Sequence, residues 1–436
     1  MHTAIRKTNW IQVSILCLAG GTIFLLPFLR YGYYDAMRGG MGLTNVQLGV
    51  IMGAYGMFTI PSYLIGGYLA DRLSAKRLLI FSFVSTGLGG FYLAQFPSYL
   101  EVILIHGFWG ITTILTFWPA FYKIVRFSAE PARQGRMFGI VDGGRRVAAS
   151  FISFAGVYLF SLYAADQVAG FRMVVYLFSA AHLVVAALIF VFWKHRDPQK
   201  GTVEDESSAP PKWADIQAVL KMPATWAIAG IIFGIYGSYR MGDFFTPYTT
   251  QVAGIGAAVA AFLGYAKSYA ITPVGSLAAG FLGDRIGISR TAILFTMAAL
   301  FSKLLFIVLP VGGNGTVILL VANILFFMAA IWGAKTLFYA LLEEAQVPAR
   351  TTGTVIGVAS TIGFLGEVTS PLIGGYCLDV FGSRAGFNAI FIISAMHALL
   401  GVFFLLYFRR VISGIKITSR GAGKFLPSAA IETGNA

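Results

Sequence analysis

The chain has 436 residues, of which 57% are hydrophobic and 11% charged, and its mean hydropathy is +0.76. Soluble domains carry about a quarter charged residues, so this composition excludes an ordinary globular enzyme and describes an all-α integral membrane protein. A formal net charge of +14 could suggest a nucleic-acid partner, but its distribution along the chain assigns it to membrane topology and argues against nucleic acid.

The first apolar window, 11–34, follows Arg6 and Lys7 and has no small-residue cleavage site, so it reads as a retained first helix rather than a signal peptide. Windows long enough to cross about 30 Å of hydrocarbon follow at 45–70, 77–96, 99–122, 136–162 and 169–193. The long polar insert KHRDPQKGTVEDESSAPPKWADIQAVLKM comes next and reads as a linker over 195–222. Six further windows lie at 223–250, 254–283, 290–310, 315–342, 352–378 and 386–408. The expected architecture is therefore twelve transmembrane helices in two six-helix bundles, 1–194 and 223–410, with a tail over 411–436 that lacks apolar periodicity. Cys17 and Cys377 fall inside spans and read as packed thiols.

The 32 Lys and Arg residues sort by side. Eight lie within spans, three (Arg38, Arg172 and Arg384) fall on one side, and the other twenty-one fall on the side of the linker and both termini. The positive-inside rule places that basic side in the cytoplasm and the chain in the cytoplasmic (inner) membrane.

The two halves repeat. GGYLADRLSAKR begins at Gly66 and AAGFLGDRIGISR at Ala278, so Gly67, Asp71 and Arg72 align with Gly280, Asp284 and Arg285. Each segment follows the second helix of its half. The glycines would allow close helix contact, and the aspartates would pair with arginines or accept bonds from a neighbouring helix N-terminus, closing a gate. The loop Gly67-x-x-x-Asp71-Arg72-x-Ser74-x-Lys76-Arg77 resembles the signature between helices two and three of the major facilitator superfamily, and Gly280–Arg290 resembles its counterpart between helices eight and nine. Ser74 and Ser289 depart from the usual pattern at a Gly and a basic position. The resemblance implies a transporter of two pseudo-symmetric bundles that works by alternating access.

The embedded bases are Arg30, Lys123, Arg145, Arg146, Arg240, Lys267, Lys303 and Lys335; the main embedded acids are Asp142, Asp243 and Glu367. Ionisable groups inside a membrane face a cavity or a partner, and a surplus of bases favours an anionic guest. Arg30 and Arg240 occupy corresponding first helices, each followed by an acid, Asp35 or Asp243. FLRYGYYDAM and YRMGDFFTPY resemble the helix-one and helix-seven segments of the organophosphate:phosphate antiporter branch, which implies that Arg30 and Arg240 bind the substrate anion. In helix five the segment VDGGRRVAAS departs from that branch, with Arg145 where related carriers have a histidine.

Arg145 and Arg146 follow Asp142 by three and four residues and share its helix face. Arg146 is expected to pair with Asp142, and Arg145 to be a third substrate contact. Tyr34 and Tyr236 are expected to line the cavity. Lys335 and Glu367 are expected to pair, either structurally or as a charge switch. The functional expectation is a secondary transporter, not an enzyme, moving a phosphate ester or carboxylate by exchange against a counter-anion or by symport with a proton carried on Glu367 or Asp142. The alternatives are an anion sensor of the same fold and a proton-coupled polycarboxylate, siderophore or drug transporter. No Walker loop, Cys/His cluster or Gly-x-Ser-x-Gly motif occurs, so no cofactor or metal is expected, and the chain is expected to act as a monomer in the lipid bilayer.

Overall fold

A computed structural model describes residues 9–128, 134–193, 217, 219–309, 314–347 and 349–422. Twelve helical stretches occupy the twelve expected spans. In the first half they are α1 (Trp10–Thr22 and Arg30–Gly40), α2 (Asn45–Arg72), α3 (Ala75–Leu93), α4 (Tyr99–Gly110, Ile111–Phe117 and Trp118–Phe127), α5 (Gln134–Ser161) and α6 (Gln167–Phe192). In the second half they are α7 (Pro223–Met241, Gly242–Phe244 and Phe245–Gln251), α8 (Ala257–Tyr265, Ala266–Ala270 and Thr272–Ile286), α9 (Ile288–Val308), α10 (Asn314–Thr336 and Leu341–Glu344), α11 (Ala349–Gly363 and Gly366–Phe381) and α12 (Ser383–Ala422). Six helical segments, Tyr99–Val125, Gln167–Phe192, Ile288–Val308, Gly315–Thr336, Thr354–Phe381 and Ser383–Ser413, are long and apolar enough to cross a membrane by length and composition. The expected linker falls almost wholly outside the described residues. The expected tail over 411–436 begins inside α12, which runs on to Ala422, and its remainder lies outside the described residues. A nucleated helix extends cheaply through a polar sequence that lacks proline, so the loss of apolar periodicity does not mark the end of the helix.

Local chemistry explains where the helices begin and end. Thr44 and Gln47 form a reciprocal capping box that starts α2, and the Asp166 carboxylate caps α6. Gly287 (φ 95°) makes the turn between α8 and α9, a backbone angle that favours glycine. The window expected at 11–34 is not one helix. It breaks over 23–29, around Pro27, and resumes at Arg30. In the matching helix of the second half, a 3-10 turn at Gly242–Phe244 begins two residues after Arg240. Both arginines therefore sit beside a helix break, where backbone groups are free to take other partners. The Gly242 carbonyl, which takes the Phe245 N–H at the end of the 3-10 turn, also accepts a bond from the Lys267 ammonium at 2.9 Å, and Lys267 itself lies in the π-helical turn of α8.

Consecutive stretches alternate in direction. One face carries the 73–74 and 287 turns and the ends of α6 and α10; we call it the linker face. The opposite face carries the turns at 41–44, 94–98, 162–166, 252–256 and 382. The apolar core divides along the same axis. One cluster runs through the second half and continues into the opposite-face part of the first, including Tyr33, Met52 and Phe171. A separate cluster, including Leu16, Phe83, Phe121 and Val141, lies at the linker-face end of the first half. The halves thus share a core only on the opposite face.

Contacts between the halves follow the same division. Asp379 at the end of α11 accepts bonds from the Asn45 amide at 3.1 Å, the Asn45 side chain at 2.7 Å and the Val46 amide at 2.7 Å, capping α2 from the other half. Backbones approach closely here, since a Cβ on Gly375 would strike the Asn45 carbonyl and one on Gly49 the Pro371 carbonyl. Asp35 accepts bonds from Thr250 and, at 2.6 Å, from Gln251 of α7. The molecule is shut on the opposite face.

Candidate functional site

Between the halves lies a cavity of about 470 Å³, within the range of small-molecule sites. Its walls come from the linker-face parts of the helices, among them Gly20, Tyr63, Trp118, Tyr339 and Phe364, and its deep end is formed by Tyr31, Arg240 and Glu367. It opens toward the linker face. Aromatic rings make up most of the wall, and the charged side chains that reach it are Arg145, Arg146, Arg240, Lys335 and Glu367.

The structure brings some of the expected residues together and separates others. Arg240 is 1% exposed and lies at the centre of a buried network. Its Nη2 is 2.8 Å from Glu367 Oε1, its Nη1 is 3.2 Å from Asp243 Oδ2, and it donates to the Tyr31 hydroxyl of the first half. Tyr236 donates its hydroxyl to Glu367. Arg30 is 2% exposed and reaches the same Asp243 oxygen at 3.5 Å across the interface between the halves. Its guanidinium also lies 5.3 Å from the Phe244 ring centroid, and its Nε and Nη1 have no acceptor among the described residues.

Several expectations are corrected. Arg30 and Tyr34 do not line the cavity. The break over 23–29 turns Arg30 into the floor behind it, and the Tyr34 hydroxyl is taken by Asn45 Oδ1 at 2.9 Å. Asp35 does not serve Arg30, because its carboxylate is used by Thr250 and Gln251. Lys335 and Glu367 do not pair. Glu367 is drawn to the Arg240 guanidinium, while the Lys335 ammonium lies 3.4 Å from the Tyr239 ring centroid and 4.0 Å from that of Trp332.

Asp142 joins Arg145 at 2.6 Å and Arg146 at 3.1 Å, so both arginines use one carboxylate. Arg146 also donates to Thr272 of the second half at 2.7 Å and lies 5.2 Å from the Trp332 ring centroid. Arg145 faces the ring of Trp118 at 5.7 Å. Lys303, fully buried, is enclosed by the rings of Phe327 and Phe245 at 4.0 and 4.1 Å and does not line the cavity.

The repeated loops are only partly described. The surroundings of Gly67 and the side chain of Asp71 fall outside what is described, and Arg72 is exposed. Asp284 and Arg285 are exposed, and a Cβ on Gly280 would meet nothing within 4 Å, so the close packing expected there is absent in this conformation. The halves stand apart on that face. Acids do cap helix N-termini as expected of the loop aspartates, but the residues are Asp379, for α2, and Glu344, which accepts from the Ser289 amide of α9 at 3.2 Å. Residue types at helix ends could have suggested them; the spacing of the repeat did not.

Four cations, Arg145, Arg146, Arg240 and Lys335, and one carboxylate, Glu367, thus line one cavity among the described residues. The family model described as Major Facilitator Superfamily matches residues 11–371. Inner membrane protein YihN of Escherichia coli (strain K12) is 26% identical over 398 residues, covering 91% of this chain and 94% of its own. Inner membrane protein YqcE of the same organism is 26% identical over 417 residues, covering 94% and 96%. The crystal structure of nucleoside transporter NupG superposes with a TM-score of 0.67 at 15% identity, covering 91% of this chain and 98% of that one, which is a likeness of fold.

Proposed function

The chain belongs to the Major Facilitator Superfamily, and from that membership we propose that this transporter carries a small organic anion by alternating access between its two bundles. It is a membrane transporter and not an enzyme. The observation that carries the anion reading is the charge of the cavity. Arg145, Arg146, Arg240 and Lys335 reach it, and the acids that meet them are Asp142, shared by Arg145 and Arg146, and Glu367 and Asp243, both at Arg240, so four cations face three carboxylates, one of which, Asp243, Arg30 also uses. Unneutralised cations in a low-dielectric site are costly, and an anionic guest offsets that cost.

Arg240 is the deep contact. A carboxylate or phosphate approaching it competes with Glu367, and a planar guanidinium suits either group in a bidentate bond. Arg30 supports this place indirectly, through Asp243. Closure of the linker face over the anion would be accompanied by parting of the Asp379 and Asp35 contacts on the opposite face. We place the linker face, the termini and the basic loops in the cytoplasm and the chain in the inner membrane, as a monomer, on the strength of the Lys and Arg asymmetry.

Two coupling modes suit the network. In exchange, a counter-anion takes the guest's place on the return. In symport, Glu367 released from Arg240 takes up a proton while still held by Tyr236. The test is uptake and counterflow in proteoliposomes with phosphate, glycerol phosphate, hexose phosphates and polycarboxylates. Saturable uptake of one of these that is lost in Arg240→Ala supports the reading, and uptake unchanged in Arg240→Ala refutes it. Dependence on an internal anion selects exchange; stimulation by an inward proton gradient selects symport.

A further inference from the structure

Trp332 stands where the central cavity meets a second cavity, of about 820 Å³, between α5 and α8, and it lines both. Its indole N–H is buried and has no acceptor among the described residues. Such donors are rare in folded proteins, because leaving one unbonded forfeits its hydration without return. Two cations lie against the same ring. The Lys335 ammonium is 4.0 Å from its centroid and the Arg146 guanidinium carbon 5.2 Å, so the two charges are within about 9 Å of each other.

Neither cation is fully neutralised. Lys335 has rings around it but no carboxylate at ion-pair distance among the described residues. Arg146 shares Asp142 with Arg145, leaving one charge in excess. We propose that Trp332, Lys335 and Arg146 form the docking site for the acidic group of the substrate, and that this group is a dianion. The inference rests on the organic-anion reading above and changes where the anion first binds. Arg240 is occupied by Glu367, Asp243 and Tyr31, whereas the Trp332 site offers an indole N–H, an ammonium and a guanidinium that an oxyanion can reach without breaking a carboxylate–arginine pair inside the second half.

The site also spans the interface. Arg146 comes from the first half and Lys335 and Trp332 from the second, so a bound dianion ties α5 to α10 on the open side of the cavity. Among the described residues, Arg146 makes the bond to Thr272 and the contact with Trp332 across this place. Occupancy would therefore favour closure of the linker face.

The test uses the purified full chain in detergent, with the thermal unfolding midpoint titrated against inorganic phosphate at pH 8 and sodium chloride of matched ionic strength as reference. Phosphate is expected to raise the midpoint saturably in the wild type. Trp332→Phe keeps the ring and removes the N–H, and Lys335→Gln removes the charge; each should raise the half-saturating phosphate concentration about tenfold or more, the usual consequence of losing a charge-assisted bond. Lys335→Arg should restore most of the affinity. Midpoints without phosphate near that of the wild type show that the variants fold. A half-saturating concentration unchanged in both Trp332→Phe and Lys335→Gln overturns this site while leaving the anion reading intact. An equal response to acetate overturns the dianion assignment. A wild type that does not respond to phosphate overturns this site, and loss of all anion uptake in proteoliposomes alongside it overturns the parent reading as well.

Discussion

Arg240 and Glu367 meet at 2.8 Å in the wall of the cavity, and this pair sets what a substrate must displace to reach the deep cation. Glu367→Gln keeps the side-chain shape and a partner for Tyr236 while removing the competing charge. Arg240 would then be held chiefly by Asp243. The half-saturating concentration for counterflow should fall about tenfold, the scale of one charge-assisted bond, and any stimulation by a proton gradient should vanish. Counterflow in proteoliposomes with and without the gradient checks both. A weaker affinity in Glu367→Gln would mean that the carboxylate orients Arg240 rather than competing for it.

Arg30 and Asp243 link the halves through one buried carboxylate oxygen that Arg240 also uses. Breaking a buried pair by removing one partner costs about 3–5 kcal/mol, because the other charge stays behind. Arg30→Gln and Asp243→Asn should each destabilise on that scale, and the double variant by less than the sum, with a coupling of about 0.5–3 kcal/mol. Chemical unfolding of the four proteins measures it. Strict additivity would show that the contact carries no energy.

The Asp379 carboxylate caps α2 across the interface. An N-cap carboxylate is worth about 0.5–2 kcal/mol, so Asp379→Ala should speed exchange of the Asn45 and Val46 amide hydrogens by roughly 2- to 30-fold. Amides in the middle of α3 should be unaffected. Hydrogen exchange read by mass spectrometry resolves the two segments. Unchanged exchange at 45–46 would place the hold on this face elsewhere, in the Asp35 contacts with Thr250 and Gln251.

The fold was legible from the sequence because each span is written locally, as an apolar run of sufficient length between polar turns, and because the loop after the second span recurs in the second half. The symmetric arginines were legible for the same reason. Their partners were not. Arg30 meets an acid 213 residues away rather than Asp35, a separation at which spacing carries no information. The break around Pro27 turns Arg30 away from the cavity, and the window of hydrophobicity passes over it because the residues on both sides are apolar. Lys335 and Glu367 were matched by depth alone, and the guanidinium of Arg240 outcompetes the ammonium for the carboxylate. Trp332 carries no signal in the sequence beyond its place in an apolar span. Only the assembled cavity shows an indole N–H without an acceptor beside two cations.

Closure of the opposite face requires bare backbone where α2 and α11 touch. A Cβ at Gly375 would strike the Asn45 carbonyl, and Asn45 cannot give way easily while Asp379 holds its amide and its side chain. Overpacking of a tight contact costs about 1–3 kcal/mol, and on the alternating-access reading the cost falls on the closed arrangement of this face, because parting of the halves would separate the two helices. Gly375→Ala should therefore shift the population away from the conformation described above by roughly 5- to 150-fold. Gly280→Ala serves as the control, because its Cβ would meet nothing within 4 Å here. A spin-label pair placed across α2 and α11 should report a longer distance in Gly375→Ala and an unchanged one in Gly280→Ala. If both variants gave the wild-type distance distribution, the α2–α11 contact would not limit closure, and the Arg30–Asp243 link on the cavity floor would be left to hold the halves together.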